Sequence, residues 1–197
     1  MPFKLSLLGA TGSIGSSTLD ILRRHGDKYQ LHSAAARTSI EAMKDIALEF
    51  RPRFLSMWDA LSAKKLETQL KQDMGSDAPE VLSGMEGLIA LVTDSEIDTI
   101  VNGLVGAIGC SPTLEAIKAG KKVGLANKES LVMAGPVIND ALQRHPGSSL
   151  IPIDSEHSAI FQCLAGRPVE EVECIQLTAS GGPLRTRPKE SFGSITK

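Results

Sequence analysis

The sequence predicts an α/β protein built on a mostly parallel sheet. Three observations predict it. Short apolar runs alternate with amphipathic helical segments along most of the chain. The first run leads directly into a glycine-rich turn. The composition, 42% hydrophobic and 22% charged, is that of a globular chain and excludes a disordered one. Regular alternation of strand and helix calls for crossover connections, and these put helices on both faces of a parallel sheet. A chain of 197 residues buries roughly 70% of its unfolded surface, enough for a core without disulfides.

The elements follow in order. Residues 4–8 form a first apolar run that ends at Gly9. Beyond the glycines, Ile14, Thr18, Ile21 and Leu22 recur at helical spacing, and Arg23, Arg24 and His25 suit a helix C-terminus. Residues 30–36 read as a second strand. Ile40, Met43, Ala47 and Phe50 mark a second helix, closed by Arg51-Pro52. Residues 53–57 are a third strand and 63–74 a helix. Residues 87–92 are helical, 99–104 extended, 113–119 helical with Gly120 as the stop, 122–126 a strand and 137–144 a helix. His145-Pro146-Gly147-Ser148-Ser149 is the clearest loop. A strand over 150–153, a helix over 158–164 and a last strand over 174–178 complete the reading. The polar stretch from Arg185 onward lacks a closing element, so the chain is expected to stop inside a domain.

Charge and cysteine content exclude several classes. Lys+Arg (21) and Asp+Glu (23) nearly cancel, which leaves no basic field for a nucleic-acid backbone. The three cysteines are odd in number and form no CxxC pair, so neither a disulfide framework nor a thiolate metal site is expected. A reducing, cytoplasmic setting fits. No run approaches the roughly 18 apolar residues of a membrane span.

The turn Gly9-Ala10-Thr11-Gly12-Ser13-Ile14-Gly15 joins the first strand to the first helix. Glycines there let backbone approach a ligand closely, and the helix N-terminus offers unpaired N–H groups to a phosphate. The position of this turn in a βαβ unit predicts a Rossmann-like dinucleotide domain; a glycine-rich turn without ligand is the bland alternative. GxxGxxG departs from the GxGxxG of NAD enzymes. The second strand then ends in Ala36-Arg37-Thr38-Ser39, with no acid before Glu41. An Asp or Glu there would accept from a ribose 2′-hydroxyl, whereas Arg37 attracts a 2′-phosphate, with Thr38 and Ser39 as further donors. Unless Arg37 is simply a surface arginine, the cofactor is NADPH.

Three more strand ends carry polar groups. Ala126-Asn127-Lys128-Glu129-Ser130 crowds an amide, an ammonium and a carboxylate, suited to a cofactor and an anionic substrate, or to a solvated turn with Ser130 as helix cap. In Ile153-Asp154-Ser155-Glu156-His157, the two carboxylates face one side of an extended backbone. They suit Mg²⁺ or Mn²⁺, or equally the N-terminus of the following helix. Thr178-Ala179-Ser180-Gly181-Gly182 offers a hydroxyl and successive N–H groups to a phosphate, or forms a plain turn before Pro183.

The segments GATGSIG, LANKESLV, PIDSEHSAIFQ and LTASGGP, in this order and spacing, resemble the 1-deoxy-D-xylulose 5-phosphate reductoisomerase family over about the N-terminal half of its length. The resemblance implies reduction and rearrangement of 1-deoxy-D-xylulose 5-phosphate to 2-C-methyl-D-erythritol 4-phosphate with NADPH and a divalent metal, in non-mevalonate isoprenoid synthesis. It implies that Thr11, Gly12, Ser13 and Ile14 hold the pyrophosphate, and that Arg37, Thr38 and Ser39 meet the 2′-phosphate, where the family often has Gly-Lys-Asn. Asn127 and Glu129 would line the cofactor, Lys128 and Glu156 would serve catalysis, Lys128, Ser155, Glu156 and Ser180 would bind substrate, and Asp154 and Glu156 would bind metal. It further implies a homodimer, with residues 1–149 as the NADPH-binding domain and 150–197 as the start of an α/β catalytic domain. On that reading this length of chain retains NADPH affinity and has little turnover. A non-catalytic NADPH-sensing module is the alternative. A short-chain dehydrogenase would need Tyr-x-x-x-Lys, yet Tyr29 is the sole tyrosine and position 33 is Ser. A semialdehyde-type dehydrogenase would need a nucleophilic cysteine, for which Cys110, after Gly109 in a loop, is a weak candidate.

Overall fold

The computed structural model describes residues 2–177 and 182–196. Seven strands form one parallel sheet: β1 (Phe3–Leu8), β2 (Tyr29–Ala36), β3 (Phe54–Met57), β4 (Glu80–Ser83), β5 (Thr99–Asn102), β6 (Lys122–Leu125) and β7 (Ser149–Pro152). The helices are α1 (Ser13–Arg24), α2 (Ile40–Phe50), α3 (Ala60–Met74), α4 (Gly84–Thr93), α5 (Cys110–Lys118), α6 (Glu129–Arg144) and α7 (Ser155–Leu164). Strand order is β4-β3-β2-β1-β5-β6-β7. The chain therefore walks outward from β1 to β4, returns to the far side of β1, and walks out again to β7. The chain divides into two compact units, one ending at Asp154, which holds all seven strands, and the other beginning at Ser155.

This order and the handedness of crossovers place the two cores. A right-handed βαβ connection puts its helix on one face when the chain steps one way and on the other when it steps back. Leu5 and Leu7 of β1 thus pack with Leu19 and Leu22 of α1, Met43 and Ile46 of α2, and Leu66 and Leu70 of α3. Leu8, facing the other way, packs with Leu88 and Leu91 of α4, Ile117 of α5 and Ile138 of α6. Central strands are covered on both faces, and the last four residues of β1 and the last six of β2 are accordingly buried, with small or apolar side chains and His32. Ser6 and Ser33, buried between them, satisfy each other by a hydroxyl hydrogen bond of 2.8 Å.

Several boundaries differ from those expected. β4 was not foreseen. It is a four-residue edge strand with no fully buried residue, so it carries no contrast between faces. α6 begins at Glu129, well before residue 137. Pro136 lies inside it and Ala134 leaves helical geometry (φ −136°, ψ 22°), so two short helices meet at a kink. Cys110 opens α5 and is not in a loop; Pro112 is tolerated there because a first-turn N–H has no intrahelical partner. Residues 174–177 form no strand, since no neighbouring strand among the described residues pairs with them, and Thr178 lies outside the described residues. α7 begins at Ser155. Glu156 is therefore in a first helical turn, and strand alternation does not relate it to Asp154.

Candidate dinucleotide site

The order reversal at β1 opens a crevice between the carboxyl ends of β1 and β5, where dinucleotides bind in such sheets. The three glycines of the first turn have separate tasks. Gly9 has φ +82°, and a Cβ there would lie 2.7 Å from the Gly103 carbonyl oxygen of the loop after β5. Gly15 has no room either, because its Cβ would lie 2.3 Å from the Ala10 oxygen, so α1 packs on the turn itself. Gly12 has only the Gly9 oxygen, 3.4 Å from its ideal Cβ position, and is exposed at the N-cap of α1. Gly9 and Ala10 both donate N–H groups to the Ala35 oxygen, at 2.9 and 2.8 Å, which ties the turn to the end of β2. α1 has no side-chain cap and no acid in its first turn, so its positive end faces outward uncompensated.

A cavity of about 470 Å³ lies over this crevice. Gly9, Thr11 and Gly12 line it on the β1 side, Arg37 and Trp58 beyond β2, and residues 103–105, 107 and 108 opposite. Ser13 is exposed and Ile14 half-buried at the start of α1; Thr38 and Ser39 are exposed beside Arg37. Trp58 follows β3, and its N–H donates to the Ala36 oxygen at 2.9 Å. The next residue, Asp59, caps α3. The hydroxyl and the backbone N–H of Ser62 donate to its carboxylate at 2.8 and 2.7 Å and hold its pKa below the ordinary value.

Two buried asparagines fasten the opposite wall. Asn102, last in β5, donates to the Gly109 oxygen and to Thr113 Oγ1, and accepts from the Leu104 N–H. Asn127 donates to the Leu104 and Gly106 oxygens, both at 2.9 Å, and to Glu129 Oε2 at 3.2 Å. Its own oxygen accepts from the Ser130 hydroxyl, so Ser130 is a bolt inside α6 and not the helix cap. Asn127 is fully buried, with its amide committed to this loop. Asn127→Ala would strand two backbone carbonyls and the Ser130 hydroxyl. The expected cost is about 2–3 kcal/mol. Hydrogen exchange at residues 103–109 is expected to quicken well beyond that of β1; unchanged exchange in the loop would refute the clamp.

Lys128 is exposed at the start of α6, and Glu129 is half-buried in its first turn. Asp154 is half-buried at the end of the first unit. Within the second unit, Ser155 donates to Glu156 Oε2 at 2.7 Å, and both line a cavity of about 490 Å³ that also includes Cys163 and Gln176. Among the described residues, no group of three His, Cys, Asp or Glu side chains is gathered for a metal. Ser180 lies outside the described residues. Trp58, Asn102 and the loop after β5 were not anticipated. The available signals were a lone tryptophan and a glycine-rich stretch, Gly103-Leu104-Val105-Gly106, each directly after a strand.

The family model described as 1-deoxy-D-xylulose 5-phosphate reductoisomerase matches residues 5–135, and the model of that enzyme's C-terminal domain matches residues 150–197. The reductoisomerase of Pelodictyon phaeoclathratiforme is 46% identical over 192 residues, covering 98% of this chain and 49% of the relative. That of Shewanella amazonensis is 45% identical, with 98% and 50% covered. A crystal structure of the reductoisomerase with magnesium superposes with a TM-score of 0.86 at 38% identity, over all of this chain and 50% of that one. The Zymomonas mobilis enzyme in complex with NADPH gives 0.83 at 37%, with the same coverage. The chain thus spans about half the length of the curated relatives it matches. With the glycine turn, the Rossmann strand order and both family models in agreement, the chain belongs to the 1-deoxy-D-xylulose 5-phosphate reductoisomerase family.

Proposed function

We propose that this chain binds NADPH at the β1–β5 crevice and, as part of a reductoisomerase, serves the conversion of 1-deoxy-D-xylulose 5-phosphate to 2-C-methyl-D-erythritol 4-phosphate. The observation that carries the reading is the uncapped α1 N-terminus behind a Cβ-free Gly12, in one cavity with Arg37. A pyrophosphate needs N–H donors and close backbone approach; a 2′-phosphate needs a guanidinium. Bound NADPH would supply hydride, and a divalent cation would supply Lewis acidity at the substrate oxygens.

The chain's own residues take the remaining tasks. Thr11, Gly12, Ser13 and Ile14 hold the pyrophosphate, and Arg37, Thr38 and Ser39 the 2′-phosphate. Asn127 serves the cofactor by holding the loop after β5, and Glu129 braces Asn127. Lys128, an exposed ammonium at the carboxyl edge of the sheet, neutralises negative charge on the substrate. Ser155, Glu156 and Ser180 bind the substrate, Ser180 on family membership alone. Asp154 and Glu156 are hard oxygen donors, and two carboxylates with waters suit Mg²⁺ or Mn²⁺. The division is residues 1–149 for the cofactor and 150–197 for the catalytic domain. The reading includes a cytoplasmic homodimer acting on a small phosphorylated sugar, with no nucleic-acid or membrane partner. No helix among the described residues is long and apolar enough to cross a membrane.

The test is a Mn²⁺ titration of wild type and Asp154→Asn, followed by electron paramagnetic resonance. The variant is expected to lose at least roughly 10- to 100-fold in affinity, the range that the loss of even an outer-shell partner of a metal ligand costs. Affinity unchanged by the substitution, with NADPH still bound, would favour a non-catalytic NADPH-binding module.

A further inference from the structure

We infer that Trp58 is the platform on which the adenine of the dinucleotide stacks, an inference that rests on the cofactor reading above and deepens it. The sheet order carries the argument. β1, β2 and β3 are consecutive neighbours, and their carboxyl ends present the Gly12 turn, Arg37 and Trp58 in that sequence along one cavity. Neighbouring strands lie about 4.8 Å apart, so the three features are spread over roughly 10 Å. A pyrophosphate over β1 and a 2′-phosphate over β2 orient the intervening ribose. Its base must then leave on the side away from the pyrophosphate, over β3, where the cavity wall is an indole.

The indole is built to receive a flat ring. It is 38% exposed, a large apolar surface left open at the cavity. Its backbone is held on both sides, by the bond from its N–H to the Ala36 oxygen and by the Asp59 cap of α3. A rigid aromatic surface loses little entropy when a base settles on it, and stacking needs no hydrogen-bond reading of the base. Trp58 therefore grips adenine whichever dinucleotide carries it, whereas Arg37 grips only the phosphorylated one.

That difference supplies the test. Trp58 is the only tryptophan in the chain, so its emission reports on this wall alone. The 197-residue chain, Trp58→Ala, Trp58→Phe and Arg37→Ala are titrated with adenosine 2′,5′-bisphosphate, NADPH and NADH by calorimetry, with circular dichroism as the check on folding. In wild type, saturable quenching of tryptophan emission by the bisphosphate is expected. Trp58→Ala is expected to weaken all three ligands alike, by roughly 10- to 100-fold, the loss seen when a base loses its aromatic partner. Trp58→Phe is expected to recover most of that loss. Wild-type affinity in a folded Trp58→Ala, beside a selective loss of NADPH in Arg37→Ala, overturns the stacking role and leaves the cofactor site standing. No binding of any ligand by wild type overturns the cofactor reading and this inference together.

Discussion

Gly15→Ala is expected to lower the melting temperature by about 6–12 °C and to abolish NADPH binding, although alanine is the better helix former. On propensity alone, the change would add up to about 1 kcal/mol of stability. The packing reverses that sign. The added methyl carbon would lie 2.3 Å from the Ala10 oxygen, 2.4 Å from the Ala10 carbonyl carbon and 2.5 Å from the Gly9 oxygen. All three are backbone atoms in a turn that two N–H groups hold to the Ala35 oxygen, so the neighbours cannot swing aside as a side chain would. Forced overpacking of this kind costs about 3 kcal/mol, and each kcal/mol moves the midpoint by about 2–4 °C in a chain of this size. α1 must withdraw, and its N–H groups go with it. Gly12→Ala is the matched control. Its methyl would meet only the Gly9 oxygen at 3.4 Å, and its φ of −89° suits alanine, so the melting temperature is expected to hold. NADPH affinity is nonetheless expected to fall roughly 10-fold or more, because the methyl occupies the surface a pyrophosphate would approach. Thermal denaturation and calorimetry of both variants decide the matter. A Gly12→Ala protein that binds NADPH like wild type would refute the pyrophosphate site.

Arg37→Ala is expected to lose NADPH affinity by roughly 10- to 30-fold while NADH affinity stays within about twofold. A hydrogen bond to a charged group contributes about 1.5–3 kcal/mol, and solvent at this exposed position keeps the effect toward the lower end. The preference should shrink as salt is raised from 0.05 to 0.5 M, values at which screening becomes strong over about 5 Å. Arg37→Asp goes further. Its carboxylate repels a 2′-phosphate and accepts from a 2′-hydroxyl, so the preference is expected to invert toward NADH. Equal losses for both dinucleotides in Arg37→Ala would show that the guanidinium does not read the phosphate.

The parts legible in the linear chain were those whose signal is local. β1 and β2 are central strands whose last four and six residues are buried, and they stand where the pattern put them. The glycine turn and Arg37 are legible for the same reason, since a turn and a strand end are matters of a few neighbouring residues. β4 escaped because an edge strand of four residues, the outer two exposed and the inner two half-buried, has no alternation to show. The start of α6 escaped because Gly135-Pro136 reads as a break; the chain does kink there, but a short helix precedes the kink. Residues 174–177 misled in the opposite direction. Ile175 and Leu177 alternate with Cys174 and Gln176 as in a strand, but a strand exists only by pairing, and no strand pairs with them among the described residues.

The order of residues alone gave an alternating α/β chain, a glycine-rich turn suited to a phosphate, a guanidinium in place of an acid at the second strand end, and a resemblance to one family through four spaced segments. Folding in three dimensions added the crevice itself. The pairing of β2 with β3 carries Trp58 into line with Arg37, and the return from β4 to the far side of β1 sets Gly9 against Gly103 and brings Asn127 to the carbonyls of Leu104 and Gly106. Periodicity and turn chemistry act between residues a few positions apart. Strand order, and the partner that a buried amide finds, depend on pairings between residues 20 to 100 positions apart, which short-range patterns do not record.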